Sequence, residues 1–254
     1  MTWNCRDKLS HKDDLLRSVA PHIAIIQECS QEDATFLNKG DQLIWQAKQI
    51  GPKIDKGLGI LSLDPEISIK PVTPPSEWFA LMNDDPGRMD VVIPFEVVTP
   101  TRLHILAVWS YNNRHRKSEM DKLRGPVLCA IDFLGDWLRS EPALILGDFN
   151  NHPVFDKSPS GKNLFSEHLK TFESLGMRSI YHQWSHEEHG KETRNTHFWT
   201  GRNYYHIDYI FASESLRKSA QFDIMSFEAM RELGIKSDHV PLWMDLSVPG
   251  GEIS

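Results

Sequence analysis

The sequence predicts an α/β fold in one domain over residues 1–254. Three observations carry that expectation. Short apolar runs recur, notably Ile23-Ala24-Ile25-Ile26 and Ala143-Leu144-Ile145-Leu146, each reading as a buried strand. Stretches with helical spacing precede both runs. A strand, a helix and a second strand in succession imply a parallel pair, which carries both C-terminal strand ends to the same side of a sheet.

Taken in order, Met1 to Trp3 leaves room for only a short strand before Asn4, unless more chain precedes it. Ser10 as an N-cap, with Leu15, Leu16 and Val19 behind it, predicts a helix that ends before Pro21. The Ile23 strand then delivers Gln27 and Glu28 at its end, which makes Asn4 and Glu28 neighbours. Gly57 to Ser62, Met89 to Glu96 and Leu103 to Trp109 read as hairpin strands, with Thr99-Pro100-Thr101 as a turn and Pro71, Pro74 and Pro75 punctuating a loop. From Ser118 to Leu138 the apolar positions Met120, Leu123, Val127, Ile131, Leu134 and Leu138 keep helical spacing, and Pro126 should kink or split that helix. The stretches Asp156 to Asn163 and Ser185 to Asn195 are expected to be exposed loops. Strands at His197, His206 and Pro241 complete the sheet.

Composition bounds the function. With 40% hydrophobic and 25% charged residues the chain is an ordinary globular one, and no apolar run approaches the roughly 20 residues that span a bilayer. No secretory signal opens it, so the expected location is cytoplasmic, with no membrane partner. Cys5, Cys29 and Cys129 lack the spacing of a zinc site and are expected to be small buried hydrophobes. A net charge of −7 gives no global attraction to nucleic acid, yet a divalent metal and a few local cations can offset repulsion inside a cleft.

Asn4, Glu28, Asp148, Asn150, Asp208, Asp238 and His239 all fall at or beside the ends of apolar runs, whereas ordinary solvated residues would concentrate in loops. Gly147 lets the backbone turn where the Ala143 strand leaves the core, and Asp148 and Asn150, two apart, project to one side if the extended conformation persists. A carboxylate beside a carboxamide can orient a water and hold a phosphate or metal oxygen. Carboxylates without cysteine or paired histidine suit magnesium or manganese rather than zinc.

Five pieces in this order, Thr2-Trp3-Asn4, Ile25-Ile26-Gln27-Glu28, Gly147-Asp148-Phe149-Asn150, His206 to Phe211 and Ser237-Asp238-His239, resemble the endonuclease/exonuclease/phosphatase superfamily of metal-dependent phosphoesterases. The resemblance implies a four-layered α/β sandwich, two packed mixed β-sheets flanked by helices. It makes Glu28 the principal metal ligand, with Asn4 close by and Asp238 as a further acidic contributor. It gives Asp148 the attacking water, Asn150 the scissile phosphate or that water, and His239 a phosphate oxygen, with Asp208 accepting from the other ring nitrogen.

Two positions depart from the family pattern. Arg6 stands where some nuclease branches place an acid, and could clamp a phosphate bidentately. Trp109 ends the strand where other members place a Tyr or His that assists the leaving group, so that role falls to Tyr111, to Asn112 or to metal-bound water. Trp199 resembles a pocket-lining position of abasic-site nucleases and could stack on a base, and equally could be a core aromatic. Arg88, Arg114, Arg116 and Lys117 suit a phosphate backbone or a solvated face. The expected activity is that of a divalent-metal-dependent phosphodiesterase, a magnesium hydrolase acting on ester bonds of nucleic acid, DNA before RNA, as endonuclease or exonuclease. The alternatives are hydrolysis of a small phosphoester, such as an inositol phosphate, lipid head group or nucleotide, and a non-catalytic binding module on the same scaffold.

Overall fold

Strands that carry apolar side chains on both faces need cover on both, and the chain provides it by stacking two six-stranded sheets and laying helices outside them. The computed structural model describes residues 1–37, 43–47, 56–78, 91–98, 102–110, 125–157, 164–199 and 203–246. The first half contributes β1 (Thr2–Asn4), α1 (Asp13–Val19), β2 (Ile23–Cys29), α2 (Gln31–Leu37), β3 (Leu43–Ala47), β4 (Gly57–Ser62), β5 (Ser68–Pro71), β6 (Val91–Val98) and β7 (Arg102–Trp109). The second half adds α3 (Pro126–Ser140), β8 (Ala143–Asp148), α4 (Phe165–Ser174), β9 (Met177–Ser179), α5 (Ile180–Ser185), β10 (His197–Trp199) and β11 (Asn203–Tyr205). It ends with β12 (Asp208–Ser213), α6 (Glu214–Arg217), β13 (Gln221–Ile224), α7 (Phe227–Glu232) and β14 (Leu242–Asp245).

One sheet runs β13-β14-β1-β2-β4-β3 and the other β5-β6-β7-β8-β12-β9, with a separate β10-β11 hairpin. The expected parallel pair is present as β1 with β2, and β7 and β8 form a second one, amid antiparallel neighbours, so both sheets are mixed. This is the four-layered sandwich that the sequence predicts.

Alternation along the strands decides which side chains meet. Ile105, Ala107 and Trp109 of β7, Leu144 and Leu146 of β8, and Ile210 and Ala212 of β12 join the core shared with Ile25 and Ile60 of the opposite sheet. Leu106, Val108, Ile145, Tyr209 and Phe211 take the other parity and pack under α3 and α4. Asp148 has the parity of Leu144 and Leu146, and Asp208 that of Ile210 and Ala212, so both carboxylates aim into the inter-sheet space where it opens at the strand ends. Gly147 makes the exit from β8 feasible: its φ is 143°, and a Cβ there would meet the Val108 carbonyl oxygen at 1.9 Å.

Some sequence expectations change. Ser10 caps nothing, because it lies in a 3-10 turn, Leu9–Lys12, that leads into α1. Pro126 opens α3 instead of kinking it, since the first helical position has no intrahelical use for an N–H. The 99–101 turn and the 118–124 part of the expected helix lie outside the described residues. The loop at 185–195 is not simply solvated, because Glu192 inside it has a side chain only 2% exposed. Cys5, Cys29 and Cys129 are buried free thiols. Among the described residues no helix is long and apolar enough to cross a membrane.

Candidate active site

The parallel register of β1 with β2 sets Asn4 opposite Gln27, and the β8–β12 register sets Asp148 opposite Asp208. Strict alternation would turn Glu28 away from Gln27 and from the site. A bulge between Gln27 and Cys29, with Glu28 in the left-handed region at φ 59°, brings its carboxylate back to the Asn4 side. Asn4, 2% exposed, then bridges the two sheets: its Nδ2 donates to Glu28 Oε1 at 3.2 Å and to Asp148 Oδ2 at 3.0 Å, while its Oδ1 accepts from the Arg6 amide at 3.2 Å. Asn4 therefore offers the carboxylates a donor, while its oxygen accepts from the Arg6 amide.

Asp148 is fully buried. Its Oδ1 accepts from the Asn150 amide at 2.8 Å, and its Oδ2 accepts from Asn150 Nδ2 at 2.9 Å. Asn150 sits at φ 46° and also donates from Nδ2 to the Ser110 carbonyl at 2.9 Å, so its amide nitrogen is committed to positioning Asp148. Asp208 Oδ2 faces His239 Nδ1 at 2.9 Å, and the Asp208 amide donates to Thr196 Oγ1 at 3.0 Å. With Nδ1 on Asp208, a protonated His239 has Nε2–H left to donate.

Electrostatics follow from crowding charge in a dry space. Burial first, then the neighbouring Asp208, push Asp148 up to about 7, against the opposing pull of His239, Asn4 and the Asn150 amide. Burial works to discharge His239, but Asp208 and Asp148 outweigh it and raise the imidazole to about 9. His197 lies beside it with ring centroids 4.4 Å apart and planes tilted by 47°, and burial together with the His239 charge lowers it to about 4.

Around Glu28 the chain supplies its own cation. Burial would raise the Glu28 carboxyl, but Lys56 Nζ at 2.8 Å from Oε2 holds it below its ordinary value, and the same ammonium lies 2.8 Å from Asp7. The signal for Lys56 was its place directly before Gly57, which pairs with Cys29. On the other flank Arg6 Nη1 pairs with Asp238 Oδ2 at 3.3 Å, so each occupies the other before any phosphate or metal does. Buried Lys12 donates to the carbonyls of Cys5 and, at 2.7 Å, of Asp7, bracing a left-handed run through Arg6, Asp7 and Lys8. Ser237 Oγ donates to the Asn4 carbonyl at 2.9 Å and accepts from the His239 amide at 3.1 Å, which ties the last loop to β1.

A hard divalent cation fits this donor set. One ligand atom each from Asp148, Asp208 and His239 lies within 4.8 Å of the others, all three residues are buried, and Asp208 Oδ1 is buried with no hydrogen-bond partner among the described residues. An orphaned carboxylate oxygen and a carboxyl raised towards neutrality both signal missing positive charge.

The remaining expectations fare differently. Trp109 stands beside Asp148 in the β7–β8 register and is 2% exposed, in the core between the sheets. Tyr111 and Asn112, like Arg88, Arg114, Arg116 and Lys117, lie outside the described residues. Trp199 ends β10 opposite Asn203. Lys56, Thr196, His197 and Ser110 join the site without having been singled out in the sequence.

The sequence model of the Endonuclease/Exonuclease/phosphatase family matches residues 1–239. Among solved structures, a 3' phosphatase from Neisseria bound to product DNA hairpin aligns with a TM-score of 0.64 at 19% identity, over 97% of this chain and 98% of that one. A 3'-5' exonuclease from Neisseria meningitidis gives 0.63 at 20% identity over 97% and 98%. The endonuclease domain of TRAS1, a telomere-specific non-LTR retrotransposon, gives 0.59 at 12% identity over 96% and 95%. At these identities the likeness is one of fold. Among curated proteins no match reaches significance.

Proposed function

This chain belongs to the Endonuclease/Exonuclease/phosphatase family, and on that premise we propose that it is, as one domain over residues 1–254, a magnesium- or manganese-dependent phosphodiesterase of nucleic acid, acting on DNA before RNA. The observation that carries the proposal is the convergence of Asn4 and Glu28 from one sheet with Asp148, Asp208 and His239 from the other sheet and the last loop. The solved relatives include one bound to a DNA hairpin and one described as an exonuclease, which supports DNA as the substrate.

Each residue has a part to play. Asp148, raised to about 7, is a base whose affinity for a proton suits neutral conditions, and Asn4 and Asn150 fix its direction so that it can aim and deprotonate a water. Cationic His239, held by Asp208, donates from Nε2 to a phosphate oxygen and stabilises charge gathering on phosphorus. Glu28, with Asn4 close by and Asp238 as a further acid, would hold the metal, which would neutralise charge on phosphorus and on the leaving oxygen. Asp238 and Arg6 lie at the rim, where Arg6 can exchange its partner for a phosphate.

The test is Asp148→Ala, assayed with and without magnesium on single-stranded DNA, duplex DNA, RNA and a panel of phosphomonoesters. The rate should fall by roughly 10²- to 10⁴-fold with the circular dichroism spectrum unchanged; a variant that cleaves at the parent rate overturns the mechanism. The net charge of −7 favours a second reading, a small phosphoester as substrate, and parent enzyme that turns over only the phosphomonoesters would establish it.

A further inference from the structure

Glu192 sits at the centre of a second buried cluster that shares no residue with the strand-end site. Its Oε2 lies 3.1 Å from His152 Nε2, and its Oε1 lies 3.0 Å from His182 Nε2 and accepts from the Gly190 amide at 2.9 Å. The side chains of Glu192, His152 and His182 are 2%, 8% and 8% exposed. His152 Nδ1 accepts from the Val154 amide at 3.1 Å, which places its ring proton on Nε2, donated to Glu192. His189 completes the group. Its ring stacks on His182 with centroids 3.5 Å apart and planes 25° from parallel, and its Nδ1 is buried without a hydrogen-bond partner among the described residues.

A bare imidazole nitrogen, stacked on a second imidazole beside a carboxylate, is left unsatisfied by the protein alone. Burial, and then the proximity of His182, keep His189 neutral by lowering it to about 3, so it offers a lone pair and not a charge. One ligand atom each from His182, His189 and Glu192 lies within 4.8 Å of the others. Two imidazoles and one carboxylate form a set that selects zinc or a similar imidazole-seeking divalent ion over magnesium, with a fourth position open. His152 has the place of the hydrogen-bonding partner that orients a ligating carboxylate.

We propose that His182, His189 and Glu192 bind a zinc-class divalent cation, with His152 orienting Glu192, as a structural clamp behind the strand-end site. His182 belongs to α5, His189 and Glu192 to the loop that follows, and His152 to the turn two residues beyond Asn150. One ion would thus join three segments. Beyond Glu192 the same loop runs into Thr196, whose hydroxyl receives the amides of Ile207 and Asp208 at 2.9 and 3.0 Å.

The experiment uses the full chain carrying Glu28→Gln and Asp148→Asn, so that zinc cannot be held by the strand-end carboxylates. After chelator treatment the protein is titrated with Zn²⁺ by calorimetry in excess Mg²⁺, and Co²⁺ is added separately to read coordination from its visible spectrum. The expected result is one zinc per chain at micromolar or tighter affinity, a rise in Tm on binding and a strong tetrahedral-type cobalt band. His189→Gln should weaken zinc by at least about a hundredfold, and His152→Gln by roughly 10- to 100-fold. Circular dichroism of each zinc-free variant confirms its fold, and His182→Gln provides a second ligand variant should His189→Gln fail to fold. Folded protein that takes up no zinc, or zinc affinity equal in a folded ligand variant and its parent, overturns the proposal.

Discussion

The strand-end site and the Glu192 cluster are built from the same two buried groups, carboxylate and imidazole, in opposite proportions. At the strand ends two carboxylates, Asp148 and Asp208, share one imidazole, and Asp148 is driven up to about 7. Around Glu192 one carboxylate has two imidazoles within 3.1 Å, and those bonds hold it well below the ordinary range against the upward push of burial. Burial alone therefore does not make a group reactive. An excess of carboxylate leaves unmet demand for protons or substrate charge, whereas the imidazoles around Glu192 meet its charge and leave only the neutral His189 Nδ1 without a partner among the described residues. Changes at the first should alter rate, and changes at the second should alter stability.

The sharpest probe after Asp148 is Asp208→Asn, which removes the negative charge that faces His239. The rate should fall by about a hundredfold or more, and the alkaline limb of the pH–rate profile, near 9 in the parent, should move towards 6.5. The sign for stability follows from the same shift. His239 is raised above its unfolded value, so its ion pair stabilises fully below about 6.5 and is lost as pH rises through about 9. A limb that stays in place would mean that Asp208 does not set the His239 charge.

Glu192→Ala reverses the pattern. It strips an acceptor from His152, His182 and the Gly190 amide, which should cost about 3 kcal/mol in denaturant unfolding while the rate changes far less. Loss of activity without loss of stability would erase the distinction between the two regions. Lys56→Met tests whether the ammonium on Glu28 holds the place of a metal. Magnesium half-saturation should fall by roughly two- to tenfold, a modest change because Lys56 and Glu28 are each about a quarter exposed; a rise would make Lys56 a helper of metal or substrate. The smallest catalytic effect belongs to Trp109→Phe. Melting should show a loss of about 1–2 kcal/mol from the inter-sheet core, with the rate within about twofold of the parent. A large drop in rate would return Trp109 to the substrate.

The elements that were legible in the sequence are those with a local signature. Apolar runs at Ile23 and Ala143 announced β2 and β8, and the polar residues that ended them announced Glu28, Asp148 and Asn150. The burial of Trp109 was not legible, because its strand end and its parity with Ile105 and Ala107 put it on the side where Asp148 also lies, which serves core and site alike. Glu192 was hidden for a different reason. Its neighbours Glu188, His189, Gly190 and Lys191 read as a solvated loop, and nothing local marks one acid among them as the acceptor for His152, forty residues earlier.

The sequence by itself determined the α/β class, the parallel pair of β1 with β2 and the row of acids and amides at strand ends, because period-two and helical patterning act within a few residues. Only the tertiary structure decided that the bulge turns Glu28 back to Asn4, that Lys56 meets Glu28, that Arg6 is taken by Asp238, and that four residues from 152 to 192 close on one another. Those contacts depend on backbone excursions and long-range register. A sum of weak local preferences does not fix them until both sheets have packed and each buried charge must find a partner.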